Sequence, residues 1–331
     1  MPANIYDVVL PALLALFVSA ALIGTLRRSR AAAAALDIPN HRSLHVAPVP
    51  RIGGLGILAG ILAAGIAAGF TPDLRVLGAL VLLAAVSLTD DLRNLGVAWR
   101  MLAHLFSAAL AATTLVYESH GLWPALGATF AIVWMTNLYN FMDGSDGLAG
   151  GMTACGFGSY GIAALCANDL SLAAINFSIA AAACGFLVFN FPPARVFMGD
   201  AGAIPLGFLA AVCGLAGWQR GAWPLWFGAV VFSPFIIDAT LTLLRRLARG
   251  AKIWEAHREH YYQRLVQSGW GHRKTLLAEI ALMLAVCATA LGGMRLSDPQ
   301  QSGMLVAVAA SYAGLIVVLE RSFDLQKSPH V

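Results

Sequence analysis

The sequence predicts an all-α integral membrane protein, a polytopic helical bundle of about 10–11 transmembrane helices with cytoplasmic active-site loops. Three observations carry that expectation. Of 331 residues, 59% are hydrophobic and 11% charged, against about 25% charged in soluble domains, so water is the wrong solvent for most of this surface. Apolar runs near the bilayer-spanning length of roughly 17–25 residues recur along the whole chain. Arginine and lysine collect at alternate ends of those runs, as membrane topology requires.

The runs fall at about 5–26, 53–70, 75–89, 101–117, 124–142, 150–167, 171–190, 203–218, 224–244, 276–294 and 303–320. The first lacks a basic leader and carries Asp7 near its start, which marks a retained span rather than a cleaved signal. With the N-terminus outside and the C-terminus in the cytoplasm, Arg75, Arg220 and Arg295 alone of the 21 basic residues lie outside. That is a strong positive-inside asymmetry. The polar loops then lie on one face, at about 27–52, 90–100, 143–150, 191–203 and 245–275. One-sided chemistry argues against a through-path, although this many spans would suit a lipid or sugar transporter. No composition shift divides the chain, so residues 1–331 form a single domain. The basic residues are divided among short loops, which excludes nucleic acid as a partner and favours membrane lipids and phosphates. Cys155, Cys166, Cys184, Cys213 and Cys287 all lie inside apolar runs without metal-ligand spacing, and imply no disulfide.

Five loop clusters carry chemistry. In His45-Val46-Ala47-Pro48-Val49-Pro50-Arg51-Ile52-Gly53-Gly54, prolines hold the chain extended and glycines bare the amides of a helix N-terminus. His45 and Arg51 beside free amides suit a phosphate; a basic loop serving topology alone reads the same way. Asp90-Asp91 follow a span that runs inward, where the negative end of the helix disfavours each charge by roughly 0.3–1 kcal/mol. A divalent cation or Arg93 is then needed to compensate, unless this is a solvated loop start. Asn137, Asn140 and Asp143 stand three apart on one helical face, with Asp146 in the Gly144–Gly147 turn. Amides and carboxylates of this kind suit a nucleobase, a sugar or hydrated Mg²⁺; an Asx-turn explains Asp146 but not the two asparagines.

In the fourth cluster, Asn190-Phe191-Pro192-Pro193-Ala194-Arg195-Val196-Phe197-Met198-Gly199-Asp200, Asp200 precedes the start of a span whose positive N-terminus keeps it ionised, as a metal ligand or as an N-cap. The fifth, His257-Arg258-Glu259-His260-Tyr261-Tyr262-Gln263-Arg264, with His272-Arg273-Lys274 beyond, suits a pyrophosphate or a basic membrane-surface segment. Asp238 is an intramembrane acid expected to pair with a base.

In this order and spacing, from about His41 to Arg273, the chain resembles the polyprenyl-phosphate N-acetylhexosamine-1-phosphate transferases of glycosyltransferase family 4. These are the enzymes that initiate O-antigen and enterobacterial common antigen, relatives of the peptidoglycan phospho-MurNAc-pentapeptide translocase. The resemblance implies a single transmembrane transferase domain, in a bacterial inner membrane, that moves an N-acetylhexosamine 1-phosphate from a UDP-sugar to undecaprenyl phosphate. Mg²⁺ assists, with Mn²⁺ as an alternative, and UMP is released. By position, Asp90 and Asp91 match the paired aspartates near the acceptor phosphate, and Asp200 the aspartate assigned to Mg²⁺, with Asp91 as a second ligand. Asp143, Asp146, Asn190 and Phe197 match the uridine region, and His260 the first histidine of the His-rich loop. His45, Arg51, Asn137, Asn140, Arg195 and Arg258 complete the expected substrate contacts.

Tyr261 and Tyr262 stand where relatives carry a further histidine, which removes any role needing two imidazoles there and points away from the peptidoglycan branch. Pairing of family members makes a homodimer an expectation of the resemblance alone. A CDP-alcohol phosphotransferase is excluded because Asp146-Gly147 is followed by Leu148-Ala149 and not Ala-Arg. Direct attack by the lipid phosphate and double displacement through an aspartate both fit the sequence, as does any of several UDP-N-acetylhexosamine donors.

Overall fold

The computed structural model describes residues 4–39, 44–252, 255 and 257–327. His41, where the resemblance begins, lies outside the described residues. The chain is helical almost throughout. It opens with Tyr6–Leu26 (α1) and the short Arg30–Ala34 (α2). Leu36–Asp37 (β1) then pairs antiparallel with Val49–Pro50 (β2), in register Leu36 with Pro50. There follow Gly53–Ala67 (α3), Leu74–Arg93 (α4) and Val97–Ala112 (α5), the last continuing through a π turn at Thr113–Tyr117 into Glu118–His120 (α6). Leu122–Phe141 (α7), Leu148–Cys166 (α8), Leu170–Asn190 (α9) and Asp200–Gln219 (α10) complete the middle of the chain. Trp226–Val231 (α11) and Ser233–Ala248 (α12) come next. Tyr261–Leu265 (α13), a π turn at Val266–Trp270, Gly271–Gly293 (α14) and Asp298–Lys327 (α15) close it.

Each of the eleven apolar runs is helical, and the protein is an all-α polytopic membrane protein. Seven helical segments are long and apolar enough to cross a bilayer by length and composition. The other four runs depart from that for visible reasons. α3 has 15 residues, about 22 Å at helical rise, short of a ~30 Å core. α4 carries Arg75, Asp90, Asp91 and Arg93. α7 ends in the polar stretch Thr136 to Asn140. The run at 224–244 is divided at Phe232 between α11 and α12, and Pro234 stands at the start of the second helix, the position where its missing N–H costs least.

Local chemistry sets the helix ends. Asp73 accepts from the amides of Arg75 and Val76 to start α4, and Asn94, left-handed at φ 51°, ends it. Asp169 accepts from Leu172 N to start α9. The main core joins α1, α3, α7, α8, α9 and α10; a second gathers α4, α5, α7 and α10. α3 and α10 meet backbone to backbone. A Cβ on Gly54 would lie 2.3 Å from Gly202 N, so only glycine admits this approach. That contact brings the starts of α3 and α10 side by side.

Candidate active site

The loops singled out in the sequence meet at one end of the bundle. The strand-like segment before α3 docks on the segment before α10: Phe197 N donates to Pro50 O (2.9 Å), Gly53 N to Phe197 O (2.9 Å) and Gly54 N to Met198 O (2.9 Å). Arg51 is thereby aimed between two acids, Asp37 Oδ1 at 2.6 Å and Asp91 Oδ1 at 3.6 Å. The His45 ring meets Phe197 edge-on at 4.9 Å between centroids, with Nε2 3.8 Å from Asp37. His45, Arg51 and Phe197 are therefore brought together.

The paired aspartates divide their work. Asp91 accepts from the amides of Asp200 (3.2 Å) and Ala201 (2.9 Å), so it caps α10 from another helix. This answers the electrostatic problem at the end of α4: the unfavourable dipole there is offset by the favourable one at the start of α10 and by Arg51. Asp90 accepts from Leu95 N and from Arg100, at 2.8 Å. Arg93, expected as the compensating cation, is exposed and makes no ion pair among the described residues; Arg100 takes that place. Arg100 also lies 3.5 Å from Asp200 Oδ2.

The cap on α10 is Asp91 and not Asp200, which corrects the N-cap reading and frees the Asp200 carboxylate. Its side chain is 22% exposed, against 3% for Asp91. Both Asp91 oxygens are already engaged by N–H donors, which disfavours its expected role as a second metal ligand. Asp143 is half-buried just beyond the end of α7. Burial first, then the neighbouring Asp200 and Asp91, raise its pKa well above the usual carboxylate range. Asp143 and the amide of Asn140 make no side-chain hydrogen bond among the described residues, which leaves both free for a ligand. Asn137 bonds back to Val133 O in its own helix (2.7 Å).

A hard cation suits this donor set: Asp200 and Asp143 present oxygen ligands whose mutual repulsion a divalent charge relieves. Among the described residues no three His, Cys, Asp or Glu side chains form a cage. Mg²⁺ ordinarily takes one or two carboxylates and completes its shell with water and phosphate, so the residues fit.

Two expected substrate residues are engaged within the protein. Asn190, 4% exposed, accepts from Gly147 N (2.8 Å) and donates to Val196 O (2.9 Å), so it braces the α7–α8 turn against the α9–α10 loop. Asp146 extends that brace by accepting from Ala194 N (2.9 Å). Arg195 does not reach the acids; it donates to Val188 O and stacks with Arg27 on Phe189.

The fifth loop is held by Asp238. Its carboxylate accepts from the amides of Tyr261 (2.9 Å) and Tyr262 (3.1 Å) and lies 3.2 Å from His260 Nδ1. Asp238 thus pairs with a base as expected and also caps α13. His260 is 3% exposed and stacks on Phe141 and Tyr262. Tyr262 Oη donates to Phe141 O (3.0 Å), so the tyrosine at the histidine position ties this loop to the end of α7. Burial, then His260 and Arg246, push His257 down to about 4. Arg258 is exposed.

Sequence reasoning missed Arg100, Asp37, His104 and the placement of His272. His272 Nδ1 lies 2.9 Å from Ser145 Oγ and its Nε2 3.4 Å from Leu44 O, so it joins the first, third and fifth loops. Arg100 and His104 stand one turn apart on α5, a spacing that would have marked them had α5 not read simply as a span.

Four acids, two arginines and a free amide at one end of a membrane bundle define a site for anionic, phosphate-bearing substrates. Residues 74–217, which supply all four acids, match the family model described as glycosyl transferase family 4. It is 28% identical to the probable undecaprenyl-phosphate N-acetylglucosaminyl 1-phosphate transferase of Bacillus subtilis (strain 168), over 73% of this chain and 73% of that one. It is 29% identical to the undecaprenyl-phosphate alpha-N-acetylglucosaminyl 1-phosphate transferase of Yersinia pestis, over 76% of each. With the decaprenyl-phosphate N-acetylglucosaminephosphotransferase of Mycobacterium leprae (strain TN) it shares 27% identity, over 86% of this chain and 83% of the relative.

Proposed function

We propose that this protein is a phosphotransferase that moves an N-acetylhexosamine 1-phosphate from a UDP-sugar to undecaprenyl phosphate. The products are undecaprenyl-diphosphate-sugar and UMP. The observation that carries this reading is the convergence of Asp90, Asp91, Asp143 and Asp200 on Arg51 and Arg100. The names of the relatives support a polyprenyl-phosphate acceptor and favour N-acetylglucosamine as the sugar. The basic loops support placing the site at the cytoplasmic face of the inner membrane, with the N-terminus outside. Initiation of O-antigen or a related envelope glycan is the pathway this product serves.

Chemically, an oxygen of the lipid phosphate attacks the sugar-bearing phosphorus of the donor, and the bond from that phosphorus to the UMP oxygen breaks. Asp200, with Asp143 beside it, would hold a Mg²⁺ ion, which would supply charge neutralisation for the diphosphate and so make UMP a better leaving group. Arg51 and Arg100 offset the charge of two approaching anions. Asp90, oriented by Arg100 and Leu95 N, positions the acceptor phosphate and accepts its remaining proton. Asn140 and Asp143 contact the donor, and Phe197 with His45 offers a ring surface for its uracil. His260, fixed by Asp238 and stacked on Phe141 and Tyr262, holds the fifth loop against the end of α7. Because both Asp91 oxygens are engaged by backbone amides, a single displacement is favoured over a phospho-aspartate at Asp91.

The test is UMP release by purified protein with undecaprenyl phosphate, Mg²⁺ or Mn²⁺, and a panel of UDP-N-acetylhexosamines, with and without chelator. Lipid-dependent, chelator-sensitive release is expected. Release that ignores the lipid would overturn the reading, as would no release with any donor from folded protein.

A further inference from the structure

The last helix, α15, is joined to the bundle by polar contacts, and these end on the loop that carries His260. Of its most apolar stretch 6% is buried, against 72% for α8 and for α10, and lipid supplies no hydrophobic drive to press such a helix onto its neighbours. Side-chain hydrogen bonds hold it instead. Gln301 accepts from Trp226 Nε1 of α11 (2.9 Å), and Tyr312 Oη lies 2.7 Å from Ser233 Oγ of α12. Two turns further along, Glu320 accepts from Arg245 of α12 and, one oxygen to each nitrogen, from Arg264 of α13 (2.7 and 3.2 Å). The Glu320 and Arg264 side chains are 23% and 19% exposed, so this is not the freely solvated kind of pair that contributes little. Arg264 also stands 4.0 Å over the Phe323 ring of α15, and Tyr261, Leu265 and Phe323 form a small apolar cluster beside it.

These contacts lead to the site through α13. Arg245 donates to Tyr261 Oη (2.7 Å), and two turns earlier on the same helix Asp238 accepts from the amides of Tyr261 and Tyr262. With five residues, α13 is too short to be stable through its own hydrogen bonds, so its place is set by what grips it. On its far side Tyr262 Oη donates to Phe141 O (3.0 Å), and His260 stacks on the Phe141 ring. Gly144 leaves room for the Tyr262 hydroxyl where a Cβ would collide with it. Phe141 lies between Asn140 and Asp143 in the chain, the donor-side groups left free for a ligand.

We propose that Glu320 is a positioning residue: through Arg245 and Arg264 it fixes α13, and through Tyr262 and Phe141 α13 fixes the end of α7 that presents Asn140 and Asp143 to the donor. The inference rests on the function proposed above for the identity of the donor, but not for the link from α15 to α7. A carboxamide at position 320 would keep the shape and one acceptor but leave two guanidiniums without the charge between them. Asp238 would then grip α13 from one side alone. The acids of α4 and α10 stay as they are, because their partners, Arg51, Arg100 and the first amides of α10, lie outside this chain of contacts.

Hydrogen exchange and turnover are measured on the full chain in detergent for wild type, Glu320→Gln, Arg264→Gln, the two together, and the charge exchange Glu320→Arg with Arg264→Glu. Amides of residues 257–265 should exchange about tenfold faster in each single variant, while those of α3 and α10 keep the wild-type rate. The donor KM should rise about fivefold with the acceptor KM unchanged. The combined Gln variant should lose no more than either single one, because both remove the same contact, and the charge exchange should recover most of the donor KM. A melting curve for each variant separates a moved loop from a lost fold, and Arg264→Gln remains informative if Glu320→Gln does not fold. Wild-type exchange at 257–265 in folded Glu320→Gln would overturn the link. Equal shifts in both KM values, or additive losses in the combined variant, would overturn the positioning role, since a merely structural tie does not single out the donor. If wild type turns over no UDP-sugar, the proposed reaction fails, and faster exchange at 257–265 in the variants still upholds the link.

Discussion

Asp91 and Asp200 are neighbours in space with opposite duties, and separating them is the sharpest test of the site. Asp91→Asn removes the charge facing the start of α10 and turns one amide N–H toward a backbone donor, so one of the two bonds to Asp200 N and Ala201 N is lost. Loss of a helix cap costs roughly 0.5–2 kcal/mol, and loss of a partly buried charge at a helix N-terminus adds up to about 2. Arg51, 3.6 Å away, loses a partner as well. A total of about 2–4 kcal/mol is expected, with turnover falling because the acids it aligns shift. Asp200→Asn, in contrast, removes a carboxylate that has Asp90, Asp91 and Asp143 as neighbours and accepts no backbone hydrogen bond. Its stability should stay within about 1 kcal/mol of wild type, while turnover is abolished. The assay is thermal unfolding in detergent followed by tryptophan fluorescence, paired with UMP release on the same samples. Asp200→Asn melting as low as Asp91→Asn would refute the division of roles. Near-normal turnover in Asp200→Asn would remove it from the metal assignment.

The other expectations are each a single measurement. Asp143→Ala should raise the donor KM far more than the acceptor KM, and an unchanged donor KM would move Asp143 out of the donor site. Asn190→Ala leaves Gly147 N and Val196 O unpaired in a buried place, costing about 2–4 kcal/mol; a melting temperature equal to wild type would show that the brace is not needed. Gly54→Ala forces a Cβ to 2.3 Å from Gly202 N, so α3 and α10 must separate, and both expression and turnover should fall. His257 is held neutral in the fold, with its pKa lowered to about 4 by burial and by the positive charge of Arg246. Unfolded histidine titrates near 6.5, so protonation favours the unfolded chain, and stability is lost as pH falls from about 6.5 toward 4. His257→Gln should flatten that slope in a melting series across pH; an identical slope would assign it elsewhere.

Much of the fold was legible because lipid makes it so. An apolar run in a chain this poor in charge has no stable backbone arrangement in a membrane except a helix, and all eleven runs are helices. Where a run held Pro234 in its middle or four charges near its ends, the helix broke or fell outside the length and composition of a span. The residues of the site were legible in kind. Polar groups at the edge of a bilayer stand out against leucine and alanine, which is how Asp90, Asp91, Asn140, Asp143, Asp200 and His260 were found. Their partners were not legible. Arg100 looked like one more positive-inside residue, and His104, beside Asn137, like an incidental polar position in a span.

The sequence by itself determined that this is a membrane bundle with its chemistry gathered on one set of loops, because hydropathy and charge are properties of each residue read locally. Only the tertiary structure decided which acid caps a helix and which is free, that Asn190 and Asp146 brace the loops, and that Arg195 turns away to Phe189. Those outcomes depend on distances between α4 and α10, or between the α7–α8 turn and the α9–α10 loop, segments tens of residues apart in the chain. Such distances are set by close packing, here by a glycine meeting a glycine at Gly54 and Gly202, and no local pattern encodes them.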